Sequence, residues 1–318
     1  SRLVEARKPE FDDPLSNMLA EISSIREGTA DFWRELGHRV AGPLAVGWMM
    51  QVLRTAQPLE QILFLTRDGY FPGKVFDTLA PLLGVAAVGR TCFSSRRLLG
   101  LAAMDHITAL DWEFLLKPAP GFRIRDFFER IGVGPDVYLP VCRADGRDPD
   151  EIVCHHRGFH DPRTKDCLYR LFVQVMDAFY PVRDGIRERV LAYLQSLSFP
   201  DCRTGIVDIG WNGSSFDSLE RLCGDDAVNA GFYLALWESR QSAQSGTERL
   251  HPYFISGPNR PAEERLIRGG VGLLEFIMGS PHGSVMDLRY EDEAWKPVYS
   301  DPDIMGPYER RAYAGIEE

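Results

Sequence analysis

The sequence predicts an α/β fold in which a parallel-sheet core carries N-terminal helices and a large helical insertion. Three observations predict it. Short, continuous apolar runs at residues 61–66 (QILFLT) and 205–210 (GIVDIG) each close on a glycine-containing turn and lead into a segment that opens a helix. Two further apolar runs, GFYLALW at 231–237 and HPYFI at 251–255, follow the second unit, as strands alternating with helices in a parallel sheet require. Between the two units, the hydrophobic spacing becomes helical over a long stretch.

Taken in order, Leu15, Met18, Leu19, Ile22 and Ile25, then Phe32, Trp33, Leu36 and Val40, fall at three- and four-residue steps, so residues 1–60 read as an N-terminal helical region. After the first apolar run and Arg67-Asp68-Gly69, the positions Phe71, Val75, Leu79, Leu82 and Leu83 give strand, loop and helix. After the second, the loop is Trp211-Asn212-Gly213, and Ser214 or Ser215 can cap a helix running to Leu222. In the intervening segment Trp112, Phe114, Leu115 and Leu116, then Phe127 and Phe128, then Leu168, Leu171, Phe172, Val175, Met176 and Phe179 look helical, interrupted by a polar stretch from Arg143 to Lys165. The organisation is therefore 1–60 helical, 61–104 with 200–318 as the α/β core, and 105–199 as a helical insertion or cap. The acidic stretch after Asp301 reads as a frayed end.

Composition removes several function classes. The 36 Lys and Arg against 46 Asp and Glu give a net charge of −10, so the average surface repels nucleic acid and anionic membranes, and any anion must be bound by local chemistry. No apolar run approaches the roughly 20 residues of a membrane-spanning helix. The six cysteines show no CxxC spacing, and no signal-peptide pattern opens the chain, which together read as reduced thiols in a cytoplasmic protein. Cys154, His155, His156, His160 and Cys167 crowd together, but their spacing matches none of the common zinc templates. The fingerprints GxxxxGK[ST], GxGxxG, HExxH and GxSxG are all missing.

The strongest chemical signal is Val207-Asp208-Ile209-Gly210-Trp211-Asn212-Gly213-Ser214-Ser215, an acid on a buried strand, a glycine turn and two hydroxyls opening a helix. Unpaired N–H groups and the helix dipole make such a turn a phosphate site, with Gly213 allowing close approach and Asn212, Ser214 and Ser215 adding donors. The same residues also describe an ordinary serine-capped turn. Asp208, beyond the carboxyl end of a strand, suits sugar hydroxyls or a magnesium ion. Thr66-Arg67-Asp68-Gly69-Tyr70 repeats the design with a guanidinium fitted to phosphate oxygens, and Ser94-Ser95-Arg96-Arg97 adds a second basic, hydroxyl-rich stretch. In the stretch 275–284 (EFIMGSPHGS), Glu275 and His282 sit around a Gly/Pro/Ser turn and suit an active-site rim. Trp211 fits either a sugar-stacking face or the core.

Taken together, ILFLTRDGYFPGKVFDTL, FSSRR and GIVDIGWNGSSFDSLERL resemble the ordered parts of type I phosphoribosyltransferases. The resemblance implies a phosphoribosyltransferase-like sheet, with Arg67, Asp68 and Gly69 on a pyrophosphate loop, Ser95, Arg96 and Arg97 on a supporting stretch, Asp208 as the ribose- and magnesium-binding acid, and Asn212, Gly213, Ser214 and Ser215 on the 5-phosphate turn. The family usually shows two adjacent acids before a Thr-Gly-x-Thr turn, whereas Ile209 and Gly210 follow Asp208 here. The same phrases, with SSRR and GSPHGSV, are also similar to the phosphoribosyltransferase-like module of bacterial polysaccharide-cluster proteins usually labelled haloacid-dehalogenase-type hydrolases. That similarity implies transfer of 5-phosphoribosyl from phosphoribosyl pyrophosphate (PRPP) to a glycan hydroxyl with inversion, with a phosphatase module or partner removing the 5-phosphate afterwards. Asp208, Asp68, Glu275 and His282 are then the acid or base candidates, and Trp211 an acceptor-stacking candidate. Two alternatives stand beside it. One is a phosphatase with Asp208 as nucleophile and Gly224-Asp225-Asp226 as an acidic metal loop; the other is a non-catalytic module that binds a nucleotide sugar or glycan.

Overall fold

The computed structural model describes residues 32–105, 107, 111, 112, 115, 121–154, 162–237, 247–254, 261–300 and 307–317. The helix expected over Leu15–Ile25, the histidines 155, 156 and 160, Phe114, Leu116 and Ile255 lie outside them.

The chain enters through α1 (Phe32–Leu36), a π-helical turn (Gly37–Ala41) and α2 (Gly42–Thr55). Strand β1 (Gln61–Leu65) leads into α3 (Tyr70–Leu82), β2 (Val88–Cys92) and α4 (Arg96–Ala102). The insertion holds β3 (Phe122–Arg123), α5 (Ile124–Ile131), α6 (Pro135–Ala144), β4 (Ile152–Cys154) and the 35-residue α7 (Pro162–Ser196), with β3 and β4 antiparallel. The core resumes with β5 (Thr204–Trp211), α8 (Ser214–Cys223), β6 (Ala230–Leu236), β7 (Leu250–Phe254) and α9 (Pro261–Met278), and the chain finishes with the hairpin β8 (Val285–Glu291) and β9 (Ala294–Tyr299) and with α10 (Pro307–Glu317).

Five strands form one parallel sheet in the order β2-β1-β5-β6-β7. Helices cover both faces, so β1 and β6 are buried along their whole length and β5 everywhere except at Asp208, as the continuous apolar runs required. Alternate residues divide between the faces. Ile62, Phe64, Phe232 and Leu234 pack with Trp48 and Met49 of α2 and with Ile277 and Met278 of α9. Leu63, Leu65, Ile206 and Tyr233 pack with α4, with Phe216 and Leu219 of α8, and with Phe172 and Phe179 of α7. The insertion therefore shares its core with one face of the sheet. In α7 the buried positions Leu168, Leu171, Phe172, Val175, Phe179, Ile186, Val190 and Tyr193 keep the helical step, and each contributes about 1.5–3 kcal/mol on burial.

Two elements depart from the sequence-based expectation. Residues 285–299 form a hairpin whose turn residues Asp292 and Glu293 both take positive φ, 53° and 62°, as a two-residue hairpin turn demands. Its outer half is exposed, so the sequence lacked the buried alternation that marks a strand. The C-terminal stretch is also a packed element. Ala312, Tyr313 and Ile316 of α10 are buried, and the backbone of Ile316 lies so close to Gly37 that a Cβ there would come within 2.6 Å of its carbonyl oxygen. The acidic residues of α10 mask an apolar stripe. No helix among the described residues is long and apolar enough to cross a membrane.

Candidate functional site

From β1 the chain goes to β2 on one side; β5 lies on the other side of β1 and continues outward to β6 and β7. Connections diverge between β1 and β5, and the crevice beyond the carboxyl ends of strands at such a switch point is where open α/β sheets bind ligands. The two loops singled out in the sequence flank it.

The first loop, Thr66–Gly69, is braced from two directions. The Thr66 hydroxyl accepts from the Ser94 N–H at 2.9 Å, and the Ser280 N–H donates to the Arg67 carbonyl at 3.0 Å. The Thr66–Arg67 peptide is cis. Gly69 N–H donates to the Leu65 carbonyl at 2.7 Å, and a Cβ on Gly69 would meet the Leu65 backbone at 2.8 Å, so the turn closes only around glycine. Ser280 and Gly279 bring the stretch after α9 against this loop: a Cβ on Gly279 would lie 3.8 Å from Asp68 Oδ1 and 2.6 Å from the Glu275 carbonyl. The stretch 275–284 thus reaches the site, as its composition suggested; its partner loop could not be read from sequence. Thr66, Ser94 and Gly279 are support residues that carried no motif.

The second loop starts inside β5. Gly210 has φ 111°, and a Cβ there would sit 2.2 Å from the Ala235 carbonyl, so β5 and β6 approach through a glycine. Gly213, at φ 65°, is the N-cap of α8, and no side chain caps it. The expected serine cap is absent. Ser214 and Ser215 instead fill the first positions of the helix, and the Ser215 hydroxyl donates to Asp208 Oδ2 at 2.9 Å. Among the described residues no side chain caps the N–H groups of the first turn, and Asn212 is exposed beside them.

The two aspartates face each other electrostatically but differ in their partners. Burial raises the Asp208 carboxyl above the usual carboxylate range, and the Ser215 hydroxyl, the Arg96 charge and the N–H groups of Gly210 and Ile209 oppose the rise. Asp68 is pushed up to about 7, by burial first, then by the charge of Asp208, with Arg67 opposing and Glu275 adding to it. Asp68 Oδ1 has no solvent contact and no hydrogen-bond partner among the described residues. Arg67 Nε reaches it at 3.5 Å, a long ion-pair contact that opposes the rise both by charge and as a weak donor, and the Asp68 side chain as a whole keeps 22% exposure.

The supporting stretch divides. Ser95 caps α4, accepting from Leu98 N–H at 3.0 Å, and its hydroxyl donates to the Val285 carbonyl at 2.6 Å. Arg97 donates to the Arg130 and Met286 carbonyls at 2.7 and 2.8 Å, fastening α4 to α5 and β8. Ser95 and Arg97, both expected to contact PRPP, thus spend these donors within the chain. Arg96 is exposed and near enough to Asp208 to affect its charge. Trp211 is 5% exposed, stacks on Trp237 with ring centroids 4.9 Å apart, and donates from Nε1 to Glu275 Oε1 at 2.9 Å. It therefore positions Glu275 from the interior, in place of the acceptor-stacking role expected of it. His282 stacks on Tyr299 at 4.8 Å, at the base of the hairpin.

Asp225 and Asp226 follow the C-terminal end of the ten-residue α8, about 15 Å from its start. Neighbouring Asn229 binds the first residue of β5, Thr204, at 2.7 Å, which places this turn at the opposite edge of the sheet from Asp208. The acidic metal loop of the phosphatase alternative is thus out of reach. Among the described residues no group of three or more His, Cys, Asp or Glu side chains is placed to hold a metal ion. The Asp208 carboxylate, expected as the magnesium-binding acid, carries the Ser215 hydroxyl and two backbone N–H groups.

No family model matches the chain, and no curated protein matches it in sequence.

Proposed function

We propose that the chain is a phosphoribosyltransferase that moves 5-phosphoribosyl from PRPP to a sugar hydroxyl with inversion at C1, adding a β-ribofuranosyl 5-phosphate unit to a bacterial polysaccharide such as an O-antigen or capsule. One observation carries the reading: the loop Thr66–Gly69 and the turn Asp208–Ser215 lie side by side at the switch point of the sheet, one bearing Arg67 and the other opening a helix. A donor with phosphate at both ends needs two such sites. The N–H groups at the start of α8 and the Ser214 hydroxyl take the 5-phosphate, while Ser215 holds Asp208. Arg67, with exposed Arg96, takes the pyrophosphate as a planar donor fork. Asp208 lies between them, where ribose hydroxyls would fall. Magnesium enters as the counter-ion of the donor, on phosphate oxygens and water, and eases departure of pyrophosphate. A phosphomonoesterase acting on the 5-phosphate is the partner this product requires.

The test is magnesium-dependent turnover of PRPP with a panel of bacterial glycan acceptors, followed by mass spectrometry. The expected product is heavier by one phosphoribosyl unit and is lost in Asp208→Asn and Arg67→Ala. Neither turnover nor donor binding by the unaltered chain would overturn the reading.

A further inference from the structure

We propose that Asp68 is the general base of the transfer, taking the proton of the attacking group, and that the acceptor is accordingly an alcohol rather than an amine or a nucleobase nitrogen. The inference rests on the phosphoribosyl-transfer reading above. It follows from comparing the candidate bases around the switch point among the described residues. Burial raises the Asp208 carboxyl as well, but that carboxylate accepts from the Ser215 hydroxyl and from the Ile209 and Gly210 N–H groups and lies in the field of Arg96, so its lone pairs are already engaged within the chain. Glu275 is held by the Trp211 indole. His282 is stacked on Tyr299 at the foot of the hairpin.

Among the described residues, Asp68 combines an inner oxygen with no well-formed hydrogen bond, its Arg67 partner standing at 3.5 Å, with a side chain that keeps 22% exposure. A carboxylate whose inner oxygen is buried without a partner gains little from being charged, and so holds a proton more tightly. The groups facing it reinforce this on balance: Asp208 from β5 and Glu275 from α9 repel its charge, while Arg67 on its own loop attracts it. An alcohol needs such a base, because it carries its proton until it attacks; a nucleobase nitrogen attacks through a lone pair already free. In the step, the acceptor oxygen bonds to C1, the C1–O bond to pyrophosphate breaks with its electron pair leaving on pyrophosphate, and the hydroxyl proton passes to Asp68, which later returns it to water.

The experiment uses the full chain with magnesium and PRPP, and water, ethanol and 2,2,2-trifluoroethanol as nucleophiles, comparing Asp68→Asn with the unaltered chain. PRPP affinity by titration calorimetry is expected to change less than threefold. Pyrophosphate release is expected to fall about 100- to 1000-fold with water and ethanol, in line with loss of a general base, and less than tenfold with trifluoroethanol, whose proton is more acidic. A uniform fall across the three nucleophiles, or retention of the unaltered rate within tenfold for all of them, overturns the assignment. So does an unaltered chain that binds PRPP yet releases pyrophosphate to no hydroxyl. Failure of the unaltered chain to bind PRPP falls instead on the phosphoribosyl-transfer reading.

Discussion

The loops that end β1 and β5 are built from the same parts, a strand, an aspartate and a glycine turn opening a helix, and burial raises both carboxyls, yet they partner the aspartate differently. The β5 turn satisfies Asp208 from its own length, through Ser215 seven residues on and two adjacent N–H groups. The β1 loop directs its long-range hydrogen bonds into bracing its backbone, through Ser94 and Ser280, and leaves Asp68 Oδ1 without a donor. A locally satisfied carboxylate suits holding a ligand, and an unsatisfied one suits moving a proton. The difference teaches that position at the switch point makes a residue available, and its hydrogen-bond accounting decides its task.

The hardest way to break the comparison is to break the β5 turn itself. Gly210→Val would drive a side chain to within 2.2 Å of the Ala235 carbonyl at a φ of 111°. Backbone cannot yield as a flexible side chain can, so about 3–5 kcal/mol of stability should be lost, visible as a large fall in denaturant midpoint. A midpoint within error of the parent would show that β5 and β6 do not need the glycine.

A medium effect sharpens the division between support and site. Arg97 is tied to two carbonyls and Arg96 is exposed, although they are adjacent in sequence. Arg97→Ala should cost about 1–3 kcal/mol, because two part-buried carbonyls lose charged donors. Arg96→Ala should change stability by no more than about 0.5 kcal/mol but weaken PRPP binding, the more so at low salt. Equal stability losses in the two variants would erase the distinction.

That pair also marks how far the sequence was legible. Apolar runs at 61–65 and 230–236 announce buried parallel strands because both faces are covered, and TRDG and DIGWNGSS announce their loops because strand-end turns need glycine and favour polar donors. Spacing along the chain says nothing of what lies across the fold. Arg97 finds its acceptors 33 and 189 residues away, Trp211 finds Glu275 at 64, and Gly279 closes on Asp68, so the choice between ligand and brace for each depended on tertiary contacts. The hairpin and α10 were missed for a related reason: each is half exposed, and its apolar stripe is diluted by charge.

The smallest effect is the one that isolates Asp68 by stability alone. Its carboxyl has an ordinary pKa of 3.8 and is pushed up to about 7 in the folded chain, chiefly by burial. Between those values the folded state binds the proton more tightly than the unfolded state does, so stability falls as pH rises across the window and levels off above it. Asparagine carries no such charge. The melting temperature of Asp68→Asn relative to the parent should therefore climb from pH 4 to pH 7 and then hold. With 22% of the side chain in water to screen the charge, the plateau should be about 1 kcal/mol, or roughly 2–4 °C. Asp208→Asn provides the contrast within the comparison. Asparagine replaces one of the two accepting oxygens by an NH2 group that cannot accept from Ser215 or from the Ile209 and Gly210 N–H groups, and this loss offsets part of the gain, so its advantage at high pH should be smaller. If Asp68→Asn gains nothing between pH 4 and pH 7, the carboxylate is solvated in the folded chain, and both its basicity and its difference from Asp208 disappear together.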